Sequence, residues 1–110
     1  REITEDGAVF KSYVDGKVHF LNPEVCIEIQ KAIGSDIMMV LDHCVPSTVD
    51  HSVAKQALQR THRWALRSLQ ARGDSHQAVF GIVQGACYTD LRQESASFLT
   101  QYSFDGFAVG

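Results

Sequence analysis

Asp42, His43 and Cys44 follow directly on Ile37-Met38-Met39-Val40-Leu41, so a carboxylate, an imidazole and a thiol stand in a row where five apolar residues end. A second apolar run, residues 78–83, ends in Gln84-Gly85, and a third, Phe107-Ala108-Val109, ends in Gly110. A carboxylate accepts two hydrogen bonds side by side, which matches an amidine-like edge with a ring N–H beside an exocyclic amine. A carboxamide donates to an oxo group or a ring nitrogen, and glycine lets backbone amides come close to a flat ring. If the three runs are parallel neighbours, Asp42, Gln84, Gly85 and Gly110 converge on one pocket, and together they complement the edge of guanine. The alternative reading of the same residues is that buried Asp and Gln at strand ends only hold loops.

Positioning these groups requires strands covered by helices. The run from Asp36 to Cys44 shows no polar alternation and reads as a strand buried on both faces, the habit of parallel sheets. In β/α folds the carboxyl ends of such strands form the ligand-binding face. A helix precedes this strand: Asn22 caps it, Pro23 occupies its first position, Glu24 lies near the positive end of its dipole, and Gly34 stops it. Val25, Ile29 and Ile33 are expected to form its buried stripe. A long helix over about residues 50–72 presents Val53, Ala57, Leu58, Thr61, Trp64, Ala65 and Leu69 at helical spacing, and Gly73-Asp74 ends it. A third helix over about residues 88–101 turns Leu91, Ala96, Phe98 and Leu99 inward. Upstream, residues 8–21 read as a hairpin turning at Asp15-Gly16, with Tyr13-Val14 in its first arm.

The expected fold class is therefore α/β: about three parallel strands with right-handed helical crossovers, plus an N-terminal hairpin. A complete β/α barrel takes about 250 residues, so the 110 residues are expected to be an internal fragment of one such domain, hairpin region 1–21 and β/α units 22–110. Its open sheet edges would then be covered by missing strands.

Composition is ordinary for a soluble protein, with 45% hydrophobic and 21% charged residues. No apolar run of membrane-spanning length and no signal-peptide pattern is present, so the cytoplasm is the expected compartment and no membrane partner is expected. Cys26, Cys44 and Cys87 fit neither a disulfide framework nor a paired metal knuckle, and read as reduced thiols. Cys44 is expected to be a packed pocket thiol, and Cys26 and Cys87 core or near-core residues. The formal net charge of −3 gives no global reason to expect nucleic acid. Arg60, Arg63 and Arg67, however, share one helical face. A solvated face explains them most cheaply; RNA phosphate contact is the alternative.

Seven blocks carry a resemblance: Phe10-Lys11-Ser12-Tyr13-Val14-Asp15-Gly16, Phe20-Leu21-Asn22-Pro23-Glu24, Gly34-Ser35-Asp36-Ile37-Met38-Met39, Leu41-Asp42-His43-Cys44, Arg60-Thr61-His62-Arg63-Trp64, Phe80-Gly81-Ile82-Val83-Gln84-Gly85 and Gly106-Phe107-Ala108-Val109-Gly110. In order and spacing they resemble the central part of the tRNA-guanine transglycosylases, also called queuine or pre-queuosine tRNA-ribosyltransferases. The resemblance implies a TIM-barrel-like glycosyltransferase that removes guanine from the wobble position of certain tRNAs and inserts a 7-deazaguanine base. It implies that Asp42 and Gln84 bind the base, that Cys44 and Gly85 line the pocket, and that Gly110 is the first of a glycine pair whose amides face the base. It further implies a nucleophilic aspartate and a structural zinc site of three cysteines and one histidine beyond this segment, and a second aspartate before it. The partners implied are tRNA and guanine or a 7-deazaguanine base, with a homodimer for the full-length protein.

His43 departs from the resemblance, since the family pattern is acidic there; facing the substrate, an imidazole would alter preference for a cationic aminomethyl substituent. Keeping Cys44 leans towards the aminomethyl precursor base, and queuine stays open. Two rivals remain at this stage: a homologous non-catalytic subunit acting as a binding module, which would have no need of Asp42 with Gln84, and an unrelated barrel enzyme with another small substrate.

Overall fold

The computed structural model describes residues 2–110. Its elements in chain order are β1 (Glu2–Ile3), β2 (Ala8–Lys11), β3 (Val18–Leu21), α1 (Pro23–Ile33), β4 (Ile37–Met39), α2 (His51–Arg72), β5 (Ala78–Val83), α3 (Thr89–Leu99) and β6 (Gly106–Val109). They form two sheets among the described residues: an antiparallel one ordered β1-β2-β3 and a parallel one ordered β4-β5-β6. The expected α/β class is thus present, three parallel strands with helices and an antiparallel region before them. No helix among the described residues is long and apolar enough to cross a membrane.

The caps read from the sequence for α1 are the ones used, and α2 has one that was not read there. Asn22 Oδ1 accepts from the Val25 amide at 2.7 Å, Pro23 opens α1, and Gly34 closes it at φ 80°. Asp50 caps α2 by accepting from the Val53 amide at 2.9 Å. Helix α1 packs on α2 and α2 on α3. The main core joins Ile27, Met38, Val40, Ala65, Val79 and Leu99, and a smaller one joins Ala54, Leu58 and Leu91 near the starts of α2 and α3.

Four expectations of detail are corrected. The buried side of α1 is Pro23 and Ile27, while Val25, Ile29 and Ile33 lie exposed. Apolar residues occupy both faces of this helix, and the phase is decided by Gln30, whose amide bonds Met39 twice: Nε2 donates to the Met39 carbonyl at 2.9 Å and Oε1 accepts from the Met39 amide at 2.7 Å. On α2 and α3 the expected inward residues Val53 and Ala96 are exposed, and Ser95 occupies the buried position instead.

The first parallel strand is shorter than expected. The Val40 amide still donates to the Phe80 carbonyl at 3.2 Å, but beyond it the chain leaves the ladder, and Ile37 at the outer edge is 50% exposed rather than covered on both faces. The hairpin turn is also wider: pairing ends at Lys11 opposite Val18, and Tyr13 and Val14 belong to the loop. Polar side chains hold that loop by local bonds, the Val14 amide donating to Ser12 Oγ and the Lys17 amide to Asp15 Oδ1, with Gly16 at φ 72°. Such bonds compete with the strand ladder for the same donors.

Candidate functional site

Alternate residues of a strand share a face, so Phe80, Ile82 and Gln84 project together, in register with Gly106, Ala108 and Gly110. The two glycines make room for the two large side chains opposite. An added Cβ at Gly106 would lie 2.5 Å from the Phe80 ring, and one at Gly110 would lie 2.5 Å from Gln84 Nε2. Gly110 itself remains tied to β5, its amide donating to the Val83 carbonyl at 2.9 Å.

Asp42 arrives from the other side. After β4 leaves the ladder, helix α2 holds the backbone: the His43 amide donates to Thr61 Oγ1 at 2.9 Å, and Thr61 is fully buried. The Asp42 carboxylate is thereby aimed at β5, and Gln84 Nε2 donates to Asp42 Oδ2 at 2.5 Å. The three strand ends from which the sequence argument started therefore meet: Asp42 on Gln84, and Gln84 over Gly110. Gln84 is 7% exposed and Asp42 half-buried, so this is a shielded polar pair with one side open.

Asp42 also borders a cavity of about 320 Å³ shared with Ile3, Ala8, Phe10, Leu21, Leu41 and Trp64, whose lining does not include Gln84, Gly85, Gly110 or Cys44. An apolar hollow with one convergent polar group is the usual composition of a small-ligand site. The antiparallel sheet supplies four of its walls, a role that the sequence did not reveal. What fixes that sheet is the arginine row. Arg63 Nε and Nη2 donate to the Glu5 carboxylate at 2.7 and 2.8 Å, Arg60 Nε donates to it at 3.2 Å, and Trp64 Nε1 donates to the Glu5 carbonyl at 2.7 Å. Arg67 pairs with Glu24 and also reaches the Glu5 carbonyl at 3.1 Å. Arg63 and Arg60 hold the Glu5 carboxyl at about 2, well below the usual carboxylate range. These arginines are ion-paired on a partly solvated face, Arg63 still 53% exposed, and they fasten β1–β2 and α1 to α2.

The remaining candidates sit around this pair. Gly85 and Ala86 carry the chain away from β5 at φ 131° and 52°, and Arg92 spans the exits of β5 and β6, donating to the carbonyls of Ala86 at 3.0 Å and Gly110 at 2.8 Å. His43 is half-buried, its ring tilted against Trp64 with centroids 6.3 Å apart. Cys44, expected as a packed thiol, is instead exposed on the loop after Asp42. Cys26 is half-buried, and burial first, with the nearby Asp42 charge adding to it, pushes its thiol upward, as suits a packed group. Cys87, expected near the core, is exposed, its thiol donating to the Ser47 carbonyl at 3.4 Å. That bond, Tyr88 Oη to the Val49 carbonyl at 2.7 Å, and His51 with Asp90 at 2.8 Å join the loops following β4 and β5.

Behind Gln84 lies a contact that no motif announced. The Gln84 amide donates to Ser95 Oγ at 3.1 Å, and the same hydroxyl is 3.3 Å from His62 Nε2. A signal for Ser95 existed, because it stands four residues from both Leu91 and Leu99, on the apolar face of α3. Among the described residues no three His, Cys, Asp or Glu side chains gather as a metal would require, so the side chains present do not fit zinc and no step is assigned to it.

A family model described as queuine tRNA-ribosyltransferase matches residues 1–110. Curated proteins named queuine tRNA-ribosyltransferase are similar throughout. The one from Thermotoga maritima is 54% identical over 108 residues, covering 98% of this chain and 29% of its own length. Those from Acetivibrio thermocellus and Chromobacterium violaceum are each 50% identical, covering all of this chain and 30% of their own length. The chain thus spans about three-tenths of the relatives it matches.

Proposed function

The chain belongs to the queuine tRNA-ribosyltransferase family, and from that premise we propose that it is the base-recognition part of a transglycosylase. The whole enzyme would exchange guanine at the tRNA wobble position for a 7-deazaguanine base. The observation that carries this reading is the Gln84–Asp42 contact, made at the carboxyl ends of two parallel strands with Gly110 beneath it. A guanine edge offers two adjacent N–H donors and one oxo acceptor. Asp42 has two oxygens for the donors, and Gln84 Nε2–H, now spent on Asp42, is the donor for the oxo group. The base would exchange one internal hydrogen bond for three of its own, in a site already shaped and shielded.

Cys44, Gly85 and Gly110 are proposed as the pocket's edge, Gly85 and Gly110 through backbone rather than side chain. The chemistry of transfer needs a nucleophile held against the ribose, and the recognition set assigned here supplies orientation of the base, not that nucleophile. A tRNA substrate accords with the relatives' names, and a cytoplasmic, homodimeric enzyme is proposed with it.

The test is Asp42→Asn in a full-length transferase carrying this segment. An amide nitrogen or a single acceptor then faces two donors, and the loss of a hydrogen bond to a charged group, about 1.5–3 kcal/mol, lowers kcat/KM for the base by roughly ten- to a hundredfold. Measured exchange of labelled guanine into tRNA at the unaltered rate would sink the assignment.

A further inference from the structure

A side chain recognises a ligand only as well as its own backbone is held. Gln84 is the last residue before two successive positive-φ positions, Gly85 and Ala86, and the final ladder bond on its strand is made by the Val83 carbonyl. Its amide N–H is taken by Ser95 Oγ of α3, a residue with no exposure. The Ser95 oxygen accepts from Gln84, and the same hydroxyl is hydrogen-bonded to His62 Nε2 of α2, 3.3 Å away. His62 is 6% exposed and stacks flat on Phe98, centroids 4.2 Å apart and planes 8° apart. Burial pushes its pKa down, which favours the neutral ring. Gln84 N–H therefore donates to Ser95 Oγ, and the same hydroxyl shares a second hydrogen bond with His62 Nε2, whose direction is set by the imidazole tautomer.

We infer that Ser95 and His62 are positioning residues for base recognition: a buried hydroxyl, oriented by a stacked imidazole, fixes the Gln84 backbone so that its carboxamide meets Asp42 and the base. The inference rests on the proposed role of Gln84 and Asp42, and goes beyond it by assigning two residues, one on each neighbouring helix, that never touch the base. Both helices already bracket the site, α2 through Thr61 on the His43 amide and α3 through Arg92 on Gly110. Removing the hydroxyl leaves the Gln84 amide buried without that acceptor, and the short turn with its two left-handed residues is free to relax.

The experiment compares Ser95→Ala, His62→Phe and Gln84→Ala in a full-length transferase carrying this segment, with the KM for guanine, the KM for tRNA and the thermal midpoint read for each. His62→Phe keeps an aromatic stack on Phe98 while deleting the nitrogen bonded to Ser95, so it answers for Ser95→Ala should that variant fold poorly. The expected result is a KM for guanine raised roughly tenfold by Ser95→Ala and several-fold by His62→Phe, with the KM for tRNA within about twofold. If Gln84→Ala raises the guanine KM and neither helix variant does, the positioning role is wrong and base recognition by Gln84 stands. If Gln84→Ala leaves it unchanged, the recognition reading fails and takes this inference with it. A parallel rise in both KM values, accompanied by a fall in thermal midpoint, would mark Ser95 and His62 as general packing residues and overturn the role claimed for them.

Discussion

A methyl group on Gly110 has nowhere to go, because its carbon would lie 2.5 Å from Gln84 Nε2 and 2.8 Å from Gln84 Cδ. Either the carboxamide moves or β6 does, and β6 is held by a ladder bond and by Arg92. Gly110→Ala is therefore expected to swing Gln84 away from Asp42 and to weaken guanine binding by up to about tenfold, on the scale of the one lost hydrogen bond to the oxo group. Calorimetric titration of a full-length transferase carrying this segment with guanine would check it, an unchanged affinity showing that Gln84 keeps its place without the gap. At this scale the sequence was readable where polarity interrupts an apolar run: Asp42 and Gln84 stand out as a carboxylate and a carboxamide at the ends of two such runs, and the family resemblance, rather than their chemistry alone, separated base binding from loop holding. Gly110 was read as an approach for backbone amides, whereas its observed use is to vacate space for a neighbour. Ser95 gave only a positional signal, four residues from both Leu91 and Leu99 on the apolar face of α3, and its partner Gln84 could not be read from that spacing. The two carbonyls that Arg92 joins lie beyond the ends of different strands, a relation that only the folded chain creates.

Between residue and whole chain, the elements are held by side chains that substitute for missing ladder partners. Gln30 does this for β4, satisfying both polar groups of Met39 with one amide. Gln30→Ala removes two partly buried bonds, each worth about 0.5–1.5 kcal/mol net, so chemical denaturation should show a loss of about 1–3 kcal/mol. The arginine row does the same for the antiparallel sheet, and its pH dependence has a definite sign. Glu5 is depressed from 4.5 to about 2 by hydrogen bonds from Arg63 and Arg60. A depressed carboxyl contributes stability that is fully present above its unfolded value, near 4.5, and is lost as pH falls through about 2. The Glu5 side chain is 47% exposed, so screening limits the contribution to within about 1 kcal/mol. Thermal midpoints between pH 4.5 and 2 should fall less steeply in Glu5→Gln than in the parent chain; parallel slopes would remove Glu5 from the acid transition. Helix existence and the caps of α1 were legible because capping chemistry is local. The phase of α1 was not, since Val25, Cys26, Ile27, Ile29 and Ile33 offer more than one apolar stripe and a tertiary bond from Gln30 chooses among them.

As a whole the chain is a plate rather than a ball, 37 × 35 × 19 Å with a radius of gyration of 14.2 Å, against about 13 Å for a compact domain of this length. Alternation of strand and helix was legible in the sequence because burial on one layer repeats with the period of each element. Thickness was not, because it depends on what lies against the outer faces. Those faces are apolar: Ile29 and Ile33 on α1 are 48% and 74% exposed, and Val109 on β6 is 83% exposed. Isolated apolar side chains on a surface need no explanation, but Val25, Ile29 and Ile33 line up at successive helical turns and form a stripe, the arrangement that favours association. The 110-residue chain by itself is accordingly expected to self-associate, and Ile29→Lys with Ile33→Glu to return it towards monomer. Since neither residue belongs to the core, the unfolding free energy should change by no more than about 0.5 kcal/mol per substitution, as is usual at the surface. Sedimentation velocity at several concentrations distinguishes the cases. A mass that is monomeric in the parent chain, or an association that the double substitution leaves intact, would show that the stripe on α1 is not the adhesive surface.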